Sequence, residues 1–178
     1  MATAPLCWDI CDVNPETEQG RALFQELLWV HRVVRHDLET VRRLAGEVVD
    51  GLPAEQLNAE LDELQTNGPL WRLKVNCLRY CRFVHSHHNA EDVLLFPRLR
   101  ETDSEIGPVV DKLEADHRRV SDDLDEVEAA AVHLTNGESA TARQRVVEGL
   151  NVLAENLLTH LDFEEREAGP TMRRLERL

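Results

Sequence analysis

Residues 69–97 read PLWRLKVNCLRYCRFVHSHHNAEDVLLFP, and the reading of this stretch decides the fold. Its apolar residues follow neither the period-two rhythm of a strand nor the unbroken run of a membrane span. Cys77, Tyr80, Val84, His87, Glu91 and Leu94 recur instead at three- and four-residue steps, the spacing of one helix face. Pro69 suits the first turn of such a helix, where a missing amide N–H leaves no bond unmade. Pro97 is expected to end it by interrupting the backbone bonding. The stripe is apolar until it meets His87 and Glu91, so a helix built for a core carries two polar groups on its inward side.

The same rhythm recurs on both sides. From about Arg21 to Val49 the residues Phe24, Leu27, Val34, Leu38 and Val41 line one helix face, and Gly46, Gly51 and Pro53 punctuate its end. A short acidic stretch from Ala54 to Gln65, with Leu57, Leu61 and Leu64, is expected to form a linking helix before TNGP. Asp103, Ser104, Gly107 and Pro108 mark a turn ahead of a third long segment faced by Val110, Leu113, Val120, Leu124 and Val127, which ends before TNGES. A fourth begins between Glu138 and Ala142 and presents Val146, Leu150, Leu153 and Leu157. It continues to Glu167, where Gly169 and Pro170 are expected to stop it. Four amphipathic helices with moderate connections bury their apolar faces most economically as an antiparallel bundle. The expectation is therefore all-α: an N-terminal extension over 1–19, a four-helix bundle with one short extra helix over 20–170, and a tail over 171–178. There is no internal repeat, no Gly-rich phosphate loop, and too little alternating β-branched sequence for a sheet.

Composition narrows the function classes. The 178 residues carry 20 basic and 34 acidic side chains, a formal net charge of −14. A surface this acidic repels phosphate backbones and anionic lipid, so neither nucleic acid nor membrane is an expected partner. No 18-residue apolar run occurs, and MATAPLCWDICDVNPETEQG lacks the basic leader and apolar core of a secretion signal, so a cytoplasmic location is expected. Cys7, Cys11, Cys77 and Cys81 form two C-x3-C pairs, a spacing outside the commonest zinc and thioredoxin-like motifs, and reducing cytosol keeps such thiols free. Cys77 and Cys81 pack around their helix or hold a redox or metal role.

Each of the four faces is broken, and each break contains a histidine. The stripes pass through His31 in the first helix, His87 and Glu91 in the second, His117 in the third, and His160 and Glu164 in the fourth. His87 with Glu91, and His160 with Glu164, are H-x3-E pairs, which helix geometry places roughly 6 Å apart along the axis on one face. A bare carboxylate buried among apolar groups costs several kcal/mol unless it is protonated, paired or bound to a cation. Since no Lys or Arg occupies these six inward positions, a metal ion is the economical partner. Mixed nitrogen and oxygen donors suit transition metals, iron above all, and two divalent ions against two carboxylates leave room for a bridging hydroxide or oxo group.

Taken singly, His31 or His117 reads as an ordinary core histidine, and either H-x3-E reads equally as a solvated pair. Their occurrence together on four faces favours the metal reading. His85 and His88 flank His87 as supporting or surface groups, although His88 with Asp92 repeats the four-residue spacing. His36 and His133 read as solvated. Glu165 can exchange with Glu164 by a small rotation of the helix end. Tyr80, two turns before His87 on the same face, either packs in the core or lines the site.

The residues His31, HHNAEDVLLFP at 87–97, DHRRV around His117 and HLDFEE at 160–165 resemble the hemerythrin-like, or HHE cation-binding, domain family over roughly residues 20–170. The resemblance implies a four-helix bundle around a non-heme di-iron centre. It carries His31, His87, Glu91, His117, His160 and Glu164 onto the ligand positions, with Glu91 and Glu164 as bridging carboxylates and two iron ions joined by an oxo or hydroxo bridge. Oxygen carriers of this kind have a further histidine four residues after the third-helix one, where this chain has Ser121. One iron is then short of a donor unless Glu114, Tyr80, His88 or solvent supplies it, and an anionic replacement would lower the reduction potential. The expectation is a redox centre that binds or reacts with oxygen or peroxide, with catalase-like or peroxidase-like turnover and an unidentified redox partner. The alternative is an oxygen- or nitric-oxide-binding sensor without turnover.

Overall fold

The computed structural model describes residues 15–51, 69–134 and 140–176. Four long helices dominate, and shorter elements extend two of them. In chain order these are α1 (Glu18–Gly51), α2 (Pro69–Ala90), a π-helical turn (Glu91–Leu95), α3 (Phe96–Thr102), α4 (Gly107–His133), α5 (Ala140–Glu167) and α6 (Gly169–Met172). No strand occurs among the described residues. The expected linking helix over 54–65 lies outside them, as do Cys7 and Cys11. None of the described helices is long and apolar enough to cross a membrane.

The packing closes into a square in which α1 meets α2 and α5, and α4 meets α2 and α5. Chain direction follows from the two apolar clusters. Along α1 the chain passes from Leu27 in the smaller cluster to Val34, Leu38, Val41 and Ala45 in the larger. The second helical run reverses this, from Leu73, Cys77 and Val84 in the larger cluster to Leu95, Phe96 and Leu99 in the smaller. On α4 it goes from Val110 and Leu113 to Val120, Leu124 and Val127, and α5 returns from Val146, Leu150 and Leu157 towards Ala168 and Met172. The bundle is thus antiparallel throughout. Its interior is two apolar blocks separated by a polar layer at the level of His31, Glu91, His117 and Glu164.

One expectation about a helix end is corrected. Pro97 does not end the second helix, which runs on through the π turn and α3 to Thr102. In the π turn the Phe96 N–H donates to the Glu91 carbonyl, five residues back, and Pro97 falls in the first turn of α3, where its missing N–H costs little. The wider turn also advances the buried face by one residue. Leu94, expected inside, is 57 % exposed, whereas Leu95 is 5 % exposed and packs in the smaller cluster. At the other end α5 stops at Glu167, as expected ahead of Gly169 and Pro170, which open the short α6, and Met172 and Leu175 are buried beside Leu27 and Leu99.

The start of α1 is tied to this C-terminal segment. The Gly20 N–H donates to Thr17 Oγ1 at 2.8 Å, a side-chain cap of a first-turn amide. Thr17 also donates its own N–H to the Arg173 carbonyl at 2.9 Å and its hydroxyl to the Leu175 carbonyl. The helix approaches so closely that a Cβ on Gly20 would lie 2.4 Å from the Arg173 carbonyl oxygen, a backbone atom that cannot swing away. Gly20→Ala is expected to destabilise the protein by about 1–3 kcal/mol through this overpacking. Urea denaturation checks it: the midpoint falls at unchanged m-value, and an unchanged midpoint contradicts the close approach.

Candidate metal centre

The polar layer is assembled from every long helix. Helix α1 contributes His31, the end of α2 and the π turn contribute His87, His88 and Glu91, α4 contributes His117, and α5 contributes His160 and Glu164. All but His87 are buried outright, and the His87 side chain is 8 % exposed. Each helix is amphipathic, so burying its apolar stripe carries the one polar break in that stripe to the same depth.

The donor atoms fall into two groups whose members all lie within 4.8 Å of one another: His88, Glu91, His117 and His160, and His31, His87 and Glu91. Glu91 belongs to both. Its Oε1 is 3.2 Å from His87 Nε2 and 4.0 Å from His31 Nε2, while its Oε2 is 3.5 Å from His117 Nε2. Glu164 also spans the layer, with Oε2 3.4 Å from His31 Nε2 and 3.7 Å from His160 Nε2. Donors that share one ion at about 2.0–2.2 Å lie about 3–4 Å apart, so the spacing matches two neighbouring cation positions.

A second observation tests the fit. Nε2 of His31, His87 and His88, and both carboxylate oxygens of Glu91 and Glu164, are buried with no hydrogen-bond partner. Orphaned buried acceptors in such number are costly in a folded core. A cation on each side of Glu91 would satisfy them together. His117 Nε2 and His160 Nε2 face each other at 3.2 Å, so either one donates a proton to the other or both lone pairs meet a cation.

The outward sides of the rings fix their tautomers. His117 Nδ1–H donates to Asp92 Oδ1 at 2.7 Å, and His31 Nδ1–H donates to Glu165 Oε1 at 2.8 Å. A carboxylate only accepts, so the proton resides on Nδ1 and Nε2 keeps its inward lone pair. His160 Nδ1 is 4.0 Å from Asp116 Oδ2. Phe96, on the side of the smaller cluster, stacks on His117 with ring centroids 5.2 Å apart.

Burial sets the charge states. It pushes His87 down to about 3 and His160 down to about 2, helped by neighbouring histidines, and it lowers His88 in the same sense. These imidazoles are neutral donors at any physiological pH. Burial, with repulsion from Glu164, pushes Glu91 well above the carboxylate range. The layer therefore offers neutral nitrogens and a carboxyl group whose ionised form lacks a counter-charge.

The structure brings together all six residues expected as ligands, His31, His87, Glu91, His117, His160 and Glu164, and corrects the reading of several others. His88, read as a supporting or surface group or as a substitute donor, is buried inside a donor group, the last of these readings. Asp92 does not pair with His88 but reaches across to His117. Glu165 does not exchange with Glu164, because it faces outward to His31 Nδ1 while Glu164 faces in. Glu114 is drawn to Arg100 at 3.4 Å, and neither it nor the partly buried Ser121 belongs to a donor group. Tyr80 packs in the larger apolar cluster with its hydroxyl unpartnered. Cys77 and Cys81 are free and buried in that cluster, and burial pushes the Cys77 thiol up to about 12, so both pack as small apolar groups. His85 lies 3.6 Å from Asp125 on the flank, and His36 and His133 are exposed. Arg35, four residues after His31, went unnoticed in the sequence; it donates to Glu165 Oε1 and to Asp162 Oδ1, both at 2.7 Å.

An antiparallel four-helix bundle with a buried layer of histidines and carboxylates defines a class of helical protein whose interior can hold metal ions. The sequence model of the hemerythrin HHE cation binding domain matches residues 30–172, and the chain belongs to that family. No curated protein and no solved structure matches the chain.

Proposed function

We propose that the protein holds two iron ions, one against His88, Glu91, His117 and His160 and one against His31, His87 and Glu91, and that it reacts with peroxide or oxygen there. The observation that carries the reading is the division of Glu91 between the two groups, with Oε1 3.2 Å from His87 Nε2 and Oε2 3.5 Å from His117 Nε2. Glu164, with Oε2 3.4 Å from His31 Nε2 and 3.7 Å from His160 Nε2, would hold the pair from a second side. His88 would supply the donor that Ser121 does not, a neutral nitrogen rather than an anion, so the donor set would carry no extra negative charge to hold the iron ferric. The group with fewer donors leaves positions open to a small exogenous ligand.

Bound as a pair, iron supplies reversible one-electron changes at each ion. The chain holds His31 and His117 by Nδ1–H bonds to Glu165 and Asp92 and surrounds the layer with apolar side chains that exclude bulk water. Dismutation of hydrogen peroxide to dioxygen and water needs no outside reductant, so catalase-like turnover is the activity proposed. Peroxidase-like turnover requires a redox partner in addition.

The test is anaerobic loading with ferrous iron, followed by absorption spectra and an oxygen electrode on adding peroxide. Two irons per chain, a charge-transfer band that responds to peroxide, and oxygen evolution are expected. A stable adduct with oxygen or nitric oxide and no turnover selects the binding or sensing alternative. Substantially less than one tightly held iron after loading overturns the di-iron reading.

A further inference from the structure

The two donor groups differ in what holds them from outside. His117 is anchored by Asp92, whose side chain is 42 % exposed. His31 is anchored by Glu165, and Glu165 is itself gripped. Arg35 Nη1 donates to the same Oε1 that receives the His31 proton, at 2.7 Å, and Arg35 Nη2 donates to Asp162 Oδ1, also at 2.7 Å. Arg35 and Glu165 side chains are 29 % and 25 % exposed, so this fork is only partly open to water. Arg35 lies one turn beyond His31 on α1, and Asp162 and Glu165 lie three residues apart on α5, which places both acceptors on the side facing the guanidinium.

Helix α1 brings one residue to the polar layer, His31. Without Arg35, Glu165 would lose its charge partner and be free to turn to solvent, and His31 would lose the acceptor that fixes its ring. Nε2 could then no longer be held toward Glu91 and Glu164. The other donor group contains no residue of α1, and its anchors Asp92 and Asp116 do not touch Arg35.

Resting on the two-position reading above, we infer that Arg35 is the positioning residue of one metal position. Acting through Glu165, it sets the affinity of the His31–His87–Glu91 group and leaves the His88–Glu91–His117–His160 group unaffected. Loss of a group that orients a metal-bound histidine typically weakens binding 10–100-fold. A guanidinium fork is required because two acceptors on one helix are engaged at once. Lysine can reach one of them but not both in this geometry, so Arg35→Lys should fall between the parent and Arg35→Ala.

Anaerobic titration with cobalt(II), followed by its visible absorption and by equilibrium competition with a chelator, separates the two positions. The unaltered protein takes up two cobalt ions. Arg35→Ala is expected to bind the first as tightly as the parent and the second 10–100-fold more weakly, with Glu165→Gln showing the same selective loss. Asp92→Asn is the control and should weaken the other position instead. Far-UV circular dichroism and the metal-free melting curve establish that each variant is folded. Two cobalt ions bound by folded Arg35→Ala with parental affinities, or an equal loss at both positions, overturns the assignment. Fewer than two in the unaltered protein overturns the two-position reading itself, and the assignment with it.

Discussion

Replacing Glu91 with leucine is expected to abolish metal uptake at both positions while raising the stability of the metal-free protein. The two effects have one origin. Glu91 is the residue common to the two donor groups, and it is buried with both oxygens unpartnered. Removing it deletes one oxygen donor from each position at once, whereas His31→Ala deletes a nitrogen from one position alone. In the metal-free bundle the same carboxyl is a liability, because burial and Glu164 both oppose its ionisation. A leucine of similar volume, set between the two apolar blocks, removes that penalty, and such replacements are commonly neutral or stabilising by about 1–4 kcal/mol. Cation binding stabilises the parent by linkage, by about 4 kcal/mol at a thousandfold excess of free ion over its dissociation constant. Melting curves with and without cobalt(II) therefore cross. The metal-free midpoint of Glu91→Leu lies at or above the parent's, and its shift on adding metal vanishes. A variant that still binds one ion tightly would show that the donor groups do not share this residue.

The bundle was legible because four segments repeat apolar residues at helical spacing, and because the polar interruptions in those stripes coincide in depth once the helices are antiparallel. The π turn was not legible. EDVLLFP continues the helical pattern with either Leu94 or Leu95 inside, and the choice is made by packing against Leu27 and Leu113 together with the missing amide of Pro97. His88 was legible only as one of several substitute donors, for a related reason. One residue is about 100° around an ideal helix from its neighbour, so a single stripe admits either His87 or His88. The layer takes both, since the two donor groups lie on either side of Glu91. Arg35, Asp162 and Glu165 have the composition of an ordinary solvated face. Only the crossing of α1 with α5 turns them into a support for His31, and the one sequence trace of it is an Arg four residues after His31.

The metal-free protein is expected to lose stability steeply as pH falls below about 6.5, and to lose a smaller amount as pH rises through the raised value of Glu91. In the unfolded chain the layer's histidines titrate at about 6.5 and a glutamate at about 4.3. In the folded protein burial holds His87 at about 3, His160 at about 2 and His88 lower still. As pH falls below 6.5 the unfolded chain takes up three protons at these residues that the folded one refuses, so stability drops. Glu91 opposes this, since its raised folded value means that the folded state holds one proton more between about pH 4.3 and that value. The net difference is two protons, a slope approaching about 3 kcal/mol per pH unit, against a typical domain stability of about 5–15 kcal/mol. Glu91 contributes in the opposite sense: the stability that its protonated folded form supplies is lost as pH rises through its raised folded value, and the loss ends once the buried carboxyl ionises. A bound cation reverses the alkaline limb, because it compensates the ionised carboxylate, and it deepens the acid limb, because protons then also displace the ion. Urea midpoints measured from pH 4.5 to 8.5 with and without cobalt(II) should therefore diverge most at the alkaline end. Parallel curves across that range would contradict the placement of an ionisable carboxyl between two cation positions.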